Sequence, residues 1–295
     1  MRRLGAYVVS LLVTLSITAC DADRARTGRT DAPAGFASES DELHHRPGKG
    51  PTRKADGPVS SYSTWALGAH PLPLRPDGFG VMRPTPEELR VRRYPTRDVL
   101  PPPAGDRFRS TIGPVTPELR RRMGKTWSPR CPVDLDDLRY VTVSFRGFDG
   151  LAHTGELVVA ALEAPDLVSV FRALFEADFP IEEMRLPTTA DIEARPTGDG
   201  NNTAGLVCRV ARGSTSWSAH AYGLAIDVNP FQNPYRNGDV VLPELASAYL
   251  DRSWRRPGMI LPGSVVVREF ASIGWSWGGA WGSLEDYQHF SATGR

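Results

Sequence analysis

Trp217-Ser218-Ala219-His220-Ala221-Tyr222-Gly223-Leu224-Ala225-Ile226-Asp227-Val228-Asn229-Pro230 changes character half-way along. From Leu224 onward it alternates: Leu224, Ile226 and Val228 fall on one face of an extended chain, Ala225, Asp227 and Asn229 on the other. The spacing predicts a short strand with one apolar face and a carboxylate, Asp227, in the middle of a core element. A carboxylate there is costly unless a cation or strong donors compensate it. His220 lies seven residues upstream, about 10 Å away along a straight helix or about 23 Å along a straight strand. Gly223 supplies the turn that brings the two together.

Working outward, Glu285-Asp286-Tyr287-Gln288-His289-Phe290 puts a carboxylate three residues before a histidine, close to Trp275, Trp277 and Trp281. On an ideal strand Asp286 and His289 point to opposite faces, so a shared site requires a bend. Taken singly, a histidine or aspartate of this kind is more often structural than catalytic. Together, His220, Asp227 and His289 are a suitable three-ligand set for catalytic Zn2+, leaving a position open for water. Asp286 is then the unligated base, and no organic cofactor is called for. Trp217, Tyr222 and the three later tryptophans are cleft-wall candidates, with aromatic core the commoner role for at least half of them. His153, in a turn between two expected strands, is assigned a structural or cleft-lining role.

The flanking pattern is mixed. Thr116-Pro117-Glu118-Leu119 is an N-cap, a first-turn proline and an acid, opening a helix to about Met123. Tyr140–Phe145 alternates as a strand, Asp149-Gly150 turns the chain, and Glu156–Ala160 is its partner. Asp166 is expected to cap a helix carrying Leu167, Val170, Phe171, Leu174 and Phe175 at helical spacing. Ile181–Leu186 reads as another strand. Ser264 begins a last helix with Val265, Val266, Phe270 and Ile273 inward, stopped by Gly274. Strands and helices without regular alternation point to an α+β domain over residues 106–295.

Upstream the composition differs. Of 26 prolines in 295 residues, 13 lie between positions 21 and 105, within a polar, arginine-rich stretch that reads as a tether. Trp65, Leu67, Phe79 and Tyr94 are its docking candidates, so its last third need not be free. His44, His45 and His70 fall in the same stretch and read as solvated. Met1-Arg2-Arg3 followed by the apolar run Ala6–Thr18 has the form of a secretory signal. Its end, Ser16-Ile17-Thr18-Ala19-Cys20, resembles the lipobox of bacterial lipoproteins. That resemblance implies cleavage after residue 19, lipidation of Cys20 and a membrane anchor of two acyl chains. The organisation expected is therefore 1–19 signal peptide, 20–105 lipidated cysteine and tether, and 106–295 catalytic domain. In an exported, membrane-tethered protein facing the cell wall, the remaining pair, Cys131 and Cys208, favours a disulfide. Thirty-five Lys and Arg against 34 Asp and Glu give a net charge of +1, which sets aside nucleic acid as a partner. No protein partner is implied.

Ser218-x-His220-x-x-Gly223-x-Ala225-x-Asp227 followed by Asp286-x-x-His289-Phe290 resembles the zinc D-alanyl-D-alanine carboxypeptidases, the VanY-like group. The likeness extends upstream through Asn202–Arg209 and more loosely to about Cys131. The resemblance implies a Hedgehog/DD-peptidase-like fold: a small, mostly antiparallel sheet with helices packed on it and a zinc cleft. It implies zinc held by His220, Asp227 and His289, Asp286 as general base, and Arg209 gripping the substrate. Ser218 is a substrate donor, a support for the ligands, or a simple turn residue. Glu285 beside Asp286 leaves the register of the base ambiguous; the three-residue offset to His289 favours Asp286. The implied substrate is the peptidoglycan stem peptide, losing a C-terminal D-alanine. Cleavage within cross-links or between L-Ala and D-Glu stays open, as does a binding module that retains zinc without turnover.

Overall fold

Val141, Val143 and Phe145 turn one face of an extended segment toward the interior, and Leu157 and Val159 do the same in the segment that follows. In the computed structural model, which describes residues 61–294, these form the central pair of an antiparallel sheet. In chain order the helices and strands are α1 (Glu87–Arg90), β1 (Ser110–Pro114), α2 (Pro117–Met123), β2 (Leu138–Arg146), β3 (Ala152–Ala160), α3 (Ala164–Glu176) and α4 (Thr189–Glu193). There follow β4 (Ala225–Asp227), β5 (Tyr235–Asn237), β6 (Val240–Leu242), α5 (Val265–Ser272), β7 (Ser276–Trp277), β8 (Glu285–Asp286) and β9 (His289–Ser291). The architecture is α+β, with three small antiparallel sheets ordered β1-β2-β3, β4-β9-β7 and β6-β5-β8.

The β2-β3 pair of the first sheet carries core on both faces, while the edge strand β1 stays largely exposed. Leu167, Val170, Phe171 and Leu174 of α3 cover the Val141 face, each contributing roughly 1.5–3 kcal/mol by leaving water. Leu138 and Val158 on the opposite face meet Met123, Leu186 and Leu206. The second sheet shares the first core through Ile226, Phe290 and Trp277, which lie side by side in register. Phe290 stacks on Phe270 of α5 with ring centroids 4.1 Å apart. Because side chains alternate along a strand, burying Ile226 and Phe290 on one face turns Asp227 and His289 to the other.

Several expectations change. Glu163 occupies the N-cap position of α3, and Asp166 falls inside its first turn. Residues 181–186 make a single isolated bridge, between Glu183 and Asn202, in place of a strand, and the bridge just before them joins Pro180 to Arg146. Upstream of residue 106, residues 61–105 pack on the domain, so the docking left open for the last third of this stretch is seen and begins further upstream. Leu72 and Leu89 join Phe231, Leu245 and Tyr249 in a core cluster of their own. Arg92 is buried against Glu182, donating from Nε to Oε2 at 2.8 Å, and from Nη1 to the Asp199 carbonyl at 2.8 Å. Composition hid this because the segment is held by a few isolated apolar residues and a buried ion pair, with no periodic stripe. The expected signal peptide, Cys20 and the first part of the tether lie outside the described residues. Among those described, no helix is long and apolar enough to cross a membrane.

Candidate metal centre

The local chain brings His220 back toward Asp227 by a turn and a hairpin-like pairing. Ser218 begins a tight helical turn, its Oγ accepting from the His220 N–H at 3.3 Å. Gly223 ends that turn at φ +69°, where a Cβ would lie 2.6 Å from the Ala160 nitrogen, so both conformation and space require glycine. The chain then enters β4, in which Asp227 pairs with His289 of β9. Tyr287 and Gln288 turn the chain between β8 and β9, which belong to different sheets. This is the bend that lets Asp286 and His289 share a site. Gly278 allows the close approach: a Cβ there would lie 2.7 Å from the Asp286 carbonyl and 3.3 Å from the His289 Cβ.

Three atoms converge. His220 Nε2 lies 3.3 Å from Asp227 Oδ1, His289 Nδ1 lies 3.1 Å from the same oxygen, and the two ring nitrogens are 3.3 Å apart. Four ligands at about 2.0 Å around a tetrahedral ion stand about 3.3 Å from one another. The donor set therefore fits zinc in both chemistry and spacing. The Gly205 carbonyl, 2.7 Å from His220 Nδ1, can only accept, so that nitrogen carries the proton and the Nε2 lone pair faces the centre. Burial works against the charge on Asp227, but the adjacent His220 and His289 rings outweigh it and hold the carboxyl far below its usual range. Asp286 moves the opposite way. Burial first, then the negative charge of Asp227, push its pKa up to about 7. Its Oδ1 is buried without a hydrogen-bond partner among the described residues.

All four residues line one open cleft of about 1390 Å³, together with Arg209 and Ser218. Trp217, Tyr222 and Trp281 also line it, Trp281 with its ring 5.4 Å from that of His289. Trp275 and Trp277 belong to the core, their indole N–H groups donating to Glu163 Oε2 and to the Tyr287 carbonyl. Arg209 is half-buried and donates only a long contact, 3.4 Å, to the neighbouring Val210 carbonyl. Cys131 and Cys208 are joined, with Cα atoms 5.7 Å apart, which fixes the chain immediately before Arg209. His153 lies elsewhere, between Asp98 and Asp149 at 2.9 and 3.1 Å, in a structural role. His70 packs its ring against Trp65, with centroids 4.6 Å apart. Three contributors were not anticipated from sequence: the Gly205 carbonyl, Gly278 and Arg212, which lines the same cleft. Their roles depend on neighbours far away in the chain, and only the small residue types at 205 and 278 hinted at close approach.

Residues 212–292 match the model of a peptidase family described as D-alanyl-D-alanine carboxypeptidase. The family resemblance is thereby shown for this segment. It contains His220, Asp227, Asp286 and His289, and it supports a metallopeptidase. Arg209 and both cysteines lie upstream of the match. No curated protein and no solved structure matches the chain.

Proposed function

We propose that this chain is a zinc-dependent D,D-carboxypeptidase that removes the C-terminal D-alanine of peptidoglycan stem peptides. In this reading it has the Hedgehog/DD-peptidase fold and works outside the cytoplasm, held to the membrane by a lipid on Cys20. The observation that carries the reading is the convergence of three ligand atoms, 3.1–3.3 Å apart, in one cleft beside a carboxyl whose Oδ1 is buried without a hydrogen bond among the described residues.

His220 Nε2, Asp227 Oδ1 and His289 Nδ1 would hold the ion. Bound zinc supplies a water of lowered pKa and polarises a carbonyl. Asp286 takes the proton of the attacking water on Oδ1 and delivers it to the departing amine; a pKa near neutrality suits both transfers. Arg209 offers a planar, permanently charged fork to the free C-terminal carboxylate of the departing residue. An internal peptide bond has no such charge, and leaving the fork unpaired penalises it, so removal of the terminal residue is favoured over internal cleavage.

The test is the purified full chain, loaded with zinc, against defined muropeptides with products read by mass. Release of D-alanine from pentapeptides, lost when the terminal carboxylate is amidated, is the expected result. Cleavage of internal bonds alone makes the protein an endopeptidase, and stoichiometric zinc without any cleavage makes it a binding module.

A further inference from the structure

Residues 209–218 form a short hairpin at the mouth of the cleft. Val210 bridges Trp217, Ala211 N–H donates to the Ser216 carbonyl at 2.9 Å, and Ser218 N–H closes the base on the Arg209 carbonyl at 3.1 Å. Gly213, at φ +67°, makes the turn, which leaves Arg212 exposed near the tip. Its guanidinium carbon lies 4.1 Å from the centroid of the Phe79 ring. Phe79 is itself held in place. Arg75 N–H donates to its carbonyl at 2.7 Å, Leu74 bridges Gly80, and Gly80 N–H is bonded to Glu244 Oε1 at 2.8 Å in a buried contact. A segment from the proline-rich stretch therefore supplies the aromatic shelf on which a cation of the cleft rests.

Arg212 and Arg209 both line the cleft, and neither has an ion-pair partner among the described residues. Of the two other arginines of this cleft wall, Arg185 is paired with Glu183 and with Asp191, and Arg195 makes no ion pair among the described residues but has no aromatic ring beneath it. Two cations three residues apart on one arm of a hairpin at the cleft are relieved by an anion between or upon them. Arg209 is already matched to one carboxylate, the terminal one, and the cleft volume of about 1390 Å³ leaves room for more peptide than the residue being released.

We propose that Arg212, shelved on Phe79, is a second carboxylate-binding position, so that the peptide this chain prefers carries an acidic group besides its C-terminus. The inference rests on the peptidase reading above for its ligand class. Arg212 recognises the extra carboxylate by its fork, and Phe79 positions that fork by fixing the plane of the guanidinium.

The experiment uses the zinc-loaded full chain and two pairs of D-alanyl-D-alanine peptides. In one pair an upstream acidic group is free or amidated; in the other the C-terminus is free or amidated. Binding is followed by calorimetry and turnover by mass. Wild type should favour the upstream acid over its amide by about tenfold in affinity, as a charge-assisted bond of ordinary strength would give. Arg212→Gln should bring that ratio close to one while keeping the discrimination at the C-terminus, and Phe79→Leu should reduce it partially. The residue is exposed at a hairpin tip, and an unchanged melting temperature will show that Arg212→Gln folds. If the ratio persists in Arg212→Gln, or if wild type does not favour the acid, the second position does not exist. Preferential binding without any release of D-alanine overturns the peptidase reading and leaves the second position standing.

Discussion

Among the described residues, two places bring a buried histidine and an aspartate within about 3 Å of each other, and they do opposite things. His153 has a carboxylate at each ring nitrogen, Asp98 on one side and Asp149 on the other. Asp149 is further held by the Leu151 and Thr96 backbone N–H groups, from which it accepts. At His220 one ring nitrogen is satisfied by a backbone carbonyl, and the other is turned toward a second imidazole and a carboxylate. Residue type is nearly the same in both. What separates a fastening from a candidate metal centre is that lone pairs converge on one point in the second case and are each matched to a partner in the first. The open cleft beside the second site completes the difference.

The largest expected effects test that contrast directly. His220→Ala or His289→Ala should remove most bound zinc and cut activity by more than the roughly 10–100-fold that loss of a supporting residue costs. His153→Ala should leave zinc stoichiometry unchanged and lower only the unfolding free energy. Elemental analysis with denaturant melts on the three variants measures both; zinc loss in His153→Ala would erase the distinction. Next, Asp286→Asn should keep its zinc and lose about 10²–10⁴-fold in rate, the usual share of a general base. A variant that keeps its rate would move the base to Glu285.

A smaller but still substantial effect concerns how the fastening region is held. Asp98 and Arg92 both come from the segment below residue 106, and Arg92 buries its charge against Glu182. Arg92→Ala should cost about 3–5 kcal/mol, because it leaves a buried carboxylate unpaired. Urea unfolding measures it, and a cost below about 1 kcal/mol, the range of an exposed pair, would mean the segment is peripheral after all. The smallest effect is a pH dependence. Burial opposes the charge on Asp149, but the Leu151 N–H and His153 outweigh it and hold the carboxyl below its ordinary 3.8. Its stabilisation is therefore complete above about pH 3.8 and is lost as pH falls through the lower folded value. Asp149→Asn should be less stable than wild type at neutral pH, with the gap closing in acid. A gap that persists unchanged well below that range would show that the carboxylate charge is not the source.

Much of the site is legible in the sequence because its signals are local. Alternation from Leu224 to Val228 predicts which way Asp227 points, and Gly223 announces the turn. The odd offset between Asp286 and His289 demands the bend that Tyr287 and Gln288 supply. Less is legible below residue 106. Leu72, Leu89 and Phe79 are scattered among prolines, and their partners Phe231, Tyr249 and Arg212 stand more than a hundred residues away. No window of the sequence contains both halves of such a contact.

By itself the sequence determined the chemistry at hand: two imidazoles and a carboxylate in motifs of the right spacing, a spare carboxyl nearby, a cysteine pair, and strands and helices of mixed order. These follow from backbone periodicity and residue type, which act over a few residues at a time. The tertiary structure alone decided which histidine faces a common point and which is tied down, that Asp286 Oδ1 is buried without a hydrogen bond among the described residues, and which arginines make no ion pair in the cleft. Those outcomes depend on where every other donor, acceptor and charge comes to rest. Electrostatic and hydrogen-bond satisfaction are properties of the whole packed chain.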